Sequence, residues 1–135
     1  MLSYKYTIEG VSICIKLYFI KIINGRSEIY EYIQKMSNNK NKSKTDKIKF
    51  TKIISYIDLL ARNGLNLKEP YVKHIEGDLW ELRPLRDRIL FTYYENNKIV
   101  MLNYFMKTTN KTPQKEIEKA KRLLKEYKSR SDENE

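Results

Sequence analysis

Apolar residues in this chain change their repeat partway along, and that change limits the fold more than any other feature. Ile29, Tyr32, Ile33 and Met36, then Ile48, Phe50, Ile53, Ile54, Ile57, Leu60 and Ala61, recur at the spacing of a helix face. From Leu79 onward the period drops to two. Trp80 and Leu82 alternate with Leu79, Glu81 and Arg83, and Ile89, Phe91 and Tyr93 alternate with Arg88, Leu90 and Thr92. Helices grouped ahead of strands specify an α+β arrangement, two helices packed on an antiparallel sheet, within one domain covering residues 1–135.

Punctuation along the chain sets the boundaries. The polar run Ser37 to Ser43 buries nothing and reads as a connection between the helices. Thr45 or Asp46 supplies an N-cap for the second helix, and Gly64 stands where a left-handed stop belongs. Ahead of the helices, the apolar stretch Val11 to Ile23 reads as a buried strand. Alternation along Tyr4 to Ile8, with Glu9-Gly10 as a turn, suggests an extra strand within residues 1–10. In the second half, Glu95-Asn96-Asn97-Lys98 suits a tight hairpin returning through Ile99 to Met106, which makes a three-stranded meander. Thr112-Pro113 then opens a last helix with Ile117, Ala120, Leu123, Leu124 and Tyr127 on one side, followed by a polar, fraying tail at 129–135.

Charge narrows the choice of partner. Lys and Arg number 27 against 17 Asp and Glu, a formal charge of +10, so polyanions and above all nucleic acid come first. Lys44, Lys47, Lys49 and Lys52 read as a solvated helix face. Val11 to Ile23 is too short for a bilayer and carries Lys16 and Lys21, so no membrane association is expected. The lone cysteine, Cys14, lies between Ile13 and Ile15 as a reduced core thiol would, which suits a cytoplasmic home. With one histidine, one cysteine and no glycine-rich phosphate loop, neither a metal nor another cofactor is expected.

A basic protein without such fingerprints is best matched to RNA, whose 2′-hydroxyl is an internal nucleophile. The protein then has to supply proximity, proton transfer and charge stabilisation. Arg83, Arg86 and Arg88 are the candidates for holding the phosphate, since a guanidinium matches two phosphate oxygens and does not titrate near neutrality. If Ile89, Phe91 and Tyr93 face the helices, Arg88 points to the opposite, open face. Its competing role is an ion pair with Asp87, Glu81 or Glu95, and Arg83 has Glu81 two residues away. The candidates for proton transfer are His74, in a loop, Lys73, Lys107, Lys111 and the tyrosines; Lys73 and Lys111 also suit RNA binding, and Tyr93, Tyr94 and Tyr104 suit stacking on a base.

The segments Glu69-Pro70-Tyr71-Val72-Lys73-His74, Gly77-Asp78-Leu79-Trp80-Glu81-Leu82-Arg83-Pro84, Arg86-Asp87-Arg88-Ile89, and Phe105-Met106-Lys107 through Pro113, in that order, resemble the phage-derived HigB branch of the RelE toxin superfamily. The likeness runs from about Gly64 to Lys128. It implies a RelE-like fold and the toxin of a type II toxin–antitoxin system. The implied activity is that of an endoribonuclease, an mRNA interferase cutting message in the ribosomal A site. The implied partner is a helix-turn-helix, HigA-like antitoxin, in a toxin–antitoxin heterotetramer. It places catalysis on Arg88 with Arg83 and Arg86, and the end of the last strand on Lys107 and Lys111. No histidine stands near that strand, where some members place one. Two other classes remain open: a non-catalytic nucleic-acid-binding module, and an interaction protein whose basic surface docks an acidic partner.

Overall fold

A computed structural model describes residues 2–8, 11–19, 27–94 and 98–133, the backbone alone for 2–8, 11–19 and 131–133. Its elements are β1 (Leu2–Ile8), β2 (Val11–Phe19), α1 (Glu28–Asn39), α2 (Lys44–Asn63), β3 (Val72–Glu76), β4 (Leu79–Leu82), β5 (Asp87–Tyr94), β6 (Lys98–Met106) and α3 (Gln114–Glu133). The strands form one sheet in the order β1-β2-β6-β5-β4-β3. From β3 to β6 every neighbour is antiparallel, whereas β2 runs parallel to β6, so the α+β reading holds with a mixed edge. The extra N-terminal strand is present as β1. The Glu9-Gly10 and Glu95–Asn97 turns, the Cys14 side chain and the stretch beyond Phe19 lie outside the described residues.

Local chemistry explains the helix ends. Ser27 caps α1, its hydroxyl accepting from the Tyr30 amide at 3.3 Å. Ser43 caps α2 in the same way from Asp46 at 3.2 Å, in place of the expected Thr45 or Asp46, because the helix already begins at Lys44. Gly64 ends α2 with φ 52°, its amide returning to the Leu60 carbonyl. At the other end of the chain α3 continues through Ser129 to Glu133.

The meander has four strands, not three. Val72–Glu76 pairs with β4, which places His74 on an edge strand and not in a loop. Its sequence hides it: between Val72 and Ile75 the residues are Lys73 and His74, and only Val72 is buried. The sheet also lacks the open face inferred from alternation. Ile89, Phe91, Ile99 and Met101 pack with Ile29, Ile33, Ile53, Ile57 and Leu60 of α1 and α2. Leu79, Leu90, Val100 and Leu102 pack against Ile117, Ala120, Leu123 and Leu124 of α3 on the reverse side. Two-sided cover is what the near-continuous apolar runs Ile89-Leu90-Phe91 and Ile99 to Leu102 require, since each alternate residue needs its own layer. A β-bulge where β5 pairs with β6 lets Leu102 and Asn103 both serve the α3 side.

Candidate phosphate-binding site

Arginines gather at the β4–β5 turn and the end of β6. Pro84 to Asp87 closes as a turn, with the Asp87 amide donating to the Pro84 carbonyl at 3.0 Å. Leu85 within it adopts φ 55°, a left-handed conformation that a branched side chain seldom takes without outside support. The turn is tied to β6 by a reciprocal pair: the Lys107 amide donates to the Arg86 carbonyl at 2.7 Å, and Arg86 Nη2 donates to the Lys107 carbonyl at 3.1 Å.

Glu81 is the centre of the cluster. Its Oε1 lies 3.4 Å from Arg83 Nε and 3.7 Å from Arg88 Nε, and its Oε2 accepts from the Thr112 hydroxyl at 2.8 Å. A single carboxylate therefore stands between two guanidiniums. Arg83 Nε is buried and, although within ion-pair range, is misaligned for a hydrogen bond, so one strong donor is left unsatisfied. Arg88 is buried, and its Nη1 donates to the Leu85 and Asp87 carbonyls at 2.7 and 2.9 Å. Burial, then the nearness of Arg83, lowers its affinity for its proton, with Glu81 and Asp87 opposing.

The expected residues divide into two groups. Arg83, Arg86, Arg88 and Lys107 come together; Lys73 faces Glu81 across the β3–β4 ladder, and Lys111 sits in the loop whose Thr112 holds Glu81. Within the group, Arg86, Lys73 and Lys111 are exposed, Arg83 and Lys107 partly so, and Arg88 forms the floor. His74 and Tyr93 are not part of it. His74 pairs with Trp80 across the ladder, its ring 4.9 Å from the indole, and Nε2 donates to the Gly77 carbonyl at 2.7 Å. Trp80 in turn meets Tyr93 at 5.5 Å, and Tyr93 donates to the Gly64 carbonyl at 3.0 Å. These rings lie on the α1–α2 side, opposite Glu81, and burial pushes the Tyr93 phenol up to about 12.

The sequence reading missed one set of residues here. Asp87, 1% exposed, accepts from Tyr32 at 3.1 Å and lies 3.6 Å from Lys49, so Lys49 turns inward and is not part of a wholly solvated face. A carboxylate followed directly by Arg88-Ile89-Leu90-Phe91 was the available signal, because a charge at the head of a two-sided strand must find partners. Among the described residues no cluster of His, Cys, Asp and Glu could hold a metal ion, and no helix is long and apolar enough to cross a membrane.

A sheet packed between a helical pair and a C-terminal helix, with arginines converging at its β4–β5 turn, defines a RelE-like α+β class. More particularly, residues 41–125 match the family model described as Phage derived protein Gp49-like (DUF891), and the chain belongs to that phage-derived, RelE/HigB-like family. None of the curated proteins matches it.

Proposed function

We propose that the protein is the toxin of a type II toxin–antitoxin system, an endoribonuclease that cuts message without a metal. The observation that carries this reading is the crowding of Arg83 and Arg88 around one carboxylate, with an unsatisfied guanidinium donor, beside exposed Arg86, Lys73 and Lys111. An incoming phosphate relieves that like-charge repulsion, and more so as charge grows on its oxygens in the transition state.

In this mechanism Arg83 and Arg86 grip the non-bridging oxygens, and Arg88 adds positive potential from below while holding the Leu85 turn. The 2′-oxygen bonds to phosphorus as the bond to the 5′-oxygen breaks. Lys107 donates a proton to the departing 5′-oxygen, and solvent takes the 2′ proton. The products are a 2′,3′-cyclic phosphate and a 5′-hydroxyl. Lys73 and Lys111 hold flanking phosphates. His74 and Tyr93, on the other face, take no part in the chemistry. The ribosomal A site as the place of cutting, a helix-turn-helix antitoxin and a heterotetramer with it rest on family likeness alone.

The test is end-mapping of message in a translating extract. Wild-type protein should cut within the reading frame, and Arg86→Ala should slow cutting on the order of 10²-fold. Intact message with wild-type protein would reject the reading. A non-catalytic RNA-binding module is the second reading, favoured by Arg88, whose Nη1 is already held by two backbone carbonyls in the free protein. It predicts salt-sensitive retention on RNA and no cut ends.

A further inference from the structure

Asp87 belongs to the opposite side of the sheet from Glu81, yet its backbone forms part of the arginine turn. We infer that Asp87, held by Tyr32 and Lys49, is a positioning residue that sets the turn presenting Arg86 and fixing Arg88, an inference that rests on reading this turn as the phosphate site.

A carboxylate only 1% exposed must be matched by donors, and here one comes from each helix of the pair. Tyr32 of α1 donates to Oδ1 at 3.1 Å, and Lys49 Nζ of α2 lies 3.6 Å from the same oxygen. The two donors are themselves aligned: Lys49 Nζ stands 5.4 Å over the Tyr32 ring, which stacks at 4.1 Å on Tyr104 of β6. Burial and the Asp87 charge raise the pKa of Tyr32, which keeps its hydroxyl a donor.

From this anchor the backbone leads directly into the site. The Asp87 amide closes the turn on Pro84, and its carbonyl receives Arg88 Nη1. The second carbonyl bound by Nη1 is that of Leu85, whose side chain is exposed, so packing of that side chain does not hold its left-handed backbone. Hydrogen bonds hold it: those of Asp87 and Arg88 within the turn, and the Arg86–Lys107 pair that ties the turn to β6. A shift of Asp87 therefore moves both acceptors of Arg88 and, through the next residue back, the Arg86–Lys107 pair. The helical pair thus governs the geometry of arginines on the far side of the strand.

Two substitutions separate positioning from plain stability. Tyr32→Phe deletes one hydroxyl, and Asp87→Asn removes the charge at constant shape. The spectroscopic readout is nitrogen NMR of the Arg88 guanidinium, whose Nη groups, when pinned by carbonyls, rotate slowly and give separate signals. Both variants should merge those signals, and kcat for message cleavage should fall roughly tenfold with KM held within about twofold, as expected for a misplaced group that acts in the transition state. Ile53→Val, in the core beneath the same helices, serves as the control and should leave signals and kcat unchanged. Wild-type signals and kcat in both variants would overturn the inference, as would an equal kcat loss in Ile53→Val. Should Asp87→Asn fail to fold, Tyr32→Phe alone decides. Should wild-type protein cut no message, the nuclease reading fails while the Arg88 signals still decide whether Asp87 sets the turn.

Discussion

Replacing Glu81 with glutamine tests whether the site is held together by one charge between two arginines. Glu81 is 3% exposed and its carboxylate faces Arg83, Arg88 and Thr112. Removing one member of a buried ion pair typically costs about 3–5 kcal/mol, because the partner charge is left uncompensated. Two features reduce that figure. Glutamine keeps an acceptor for Thr112, and the Arg83 side chain, 25% exposed, recovers some hydration. A loss of about 2–3 kcal/mol remains, which for a domain of this size lowers the melting temperature by about 10 °C. Added inorganic phosphate should restore more stability to the variant than to wild type, since the anion replaces the missing carboxylate; at 100-fold over its dissociation constant the gain is about 2.7 kcal/mol. Adding Arg83→Gln to Glu81→Gln should cost less than the sum of the single changes. Thermal melts with and without phosphate decide the matter. A Glu81→Gln protein that melts within about 1 °C of wild type and gains no more from phosphate would refute the reasoning.

Further outcomes follow from the core and from titration. Phe91 is fully buried against the α1–α2 side, so Phe91→Ala should lose about 3–5 kcal/mol in denaturant titration. Burial raises the Tyr93 phenol to about 12 against about 10 in the unfolded chain, so its contribution is present below pH 10 and declines as pH climbs toward 12. Tyr93→Phe should therefore flatten the alkaline fall in stability measured by denaturant midpoints, and an identical slope in both proteins would contradict the assignment.

Sequence carried the helical pair, the last three strands and the C-terminal helix because each has a full-length apolar period and a recognisable end, such as Gly64 for α2. It concealed β3, whose exposed edge position lets Lys73, His74 and Glu76 occupy a strand with little apolar content. The arginine group was legible, since Arg83, Arg86 and Arg88 flank one turn and Lys107 follows the neighbouring strand. What alternation could not give was depth. Counting by twos put Arg88 on the reverse face correctly, but it could not show that α3 packs on that face or that Arg88, beside Glu81, is a buried floor and not an exposed finger. Asp87 with Lys49 and Tyr32, at separations of 38 and 55 residues, is a pairing that no local pattern encodes.

A message carrying a single 2′-deoxynucleotide at a mapped cut position, translated in the presence of the wild-type protein, tests the chemistry most directly. On the proposed mechanism the arginine cluster stabilises attack by the neighbouring 2′-oxygen, so that one position should escape cutting while other sites in the same message are cut as before. Cutting that continues at the deoxy position would mean that another nucleophile reaches the phosphate, and the account would be wrong.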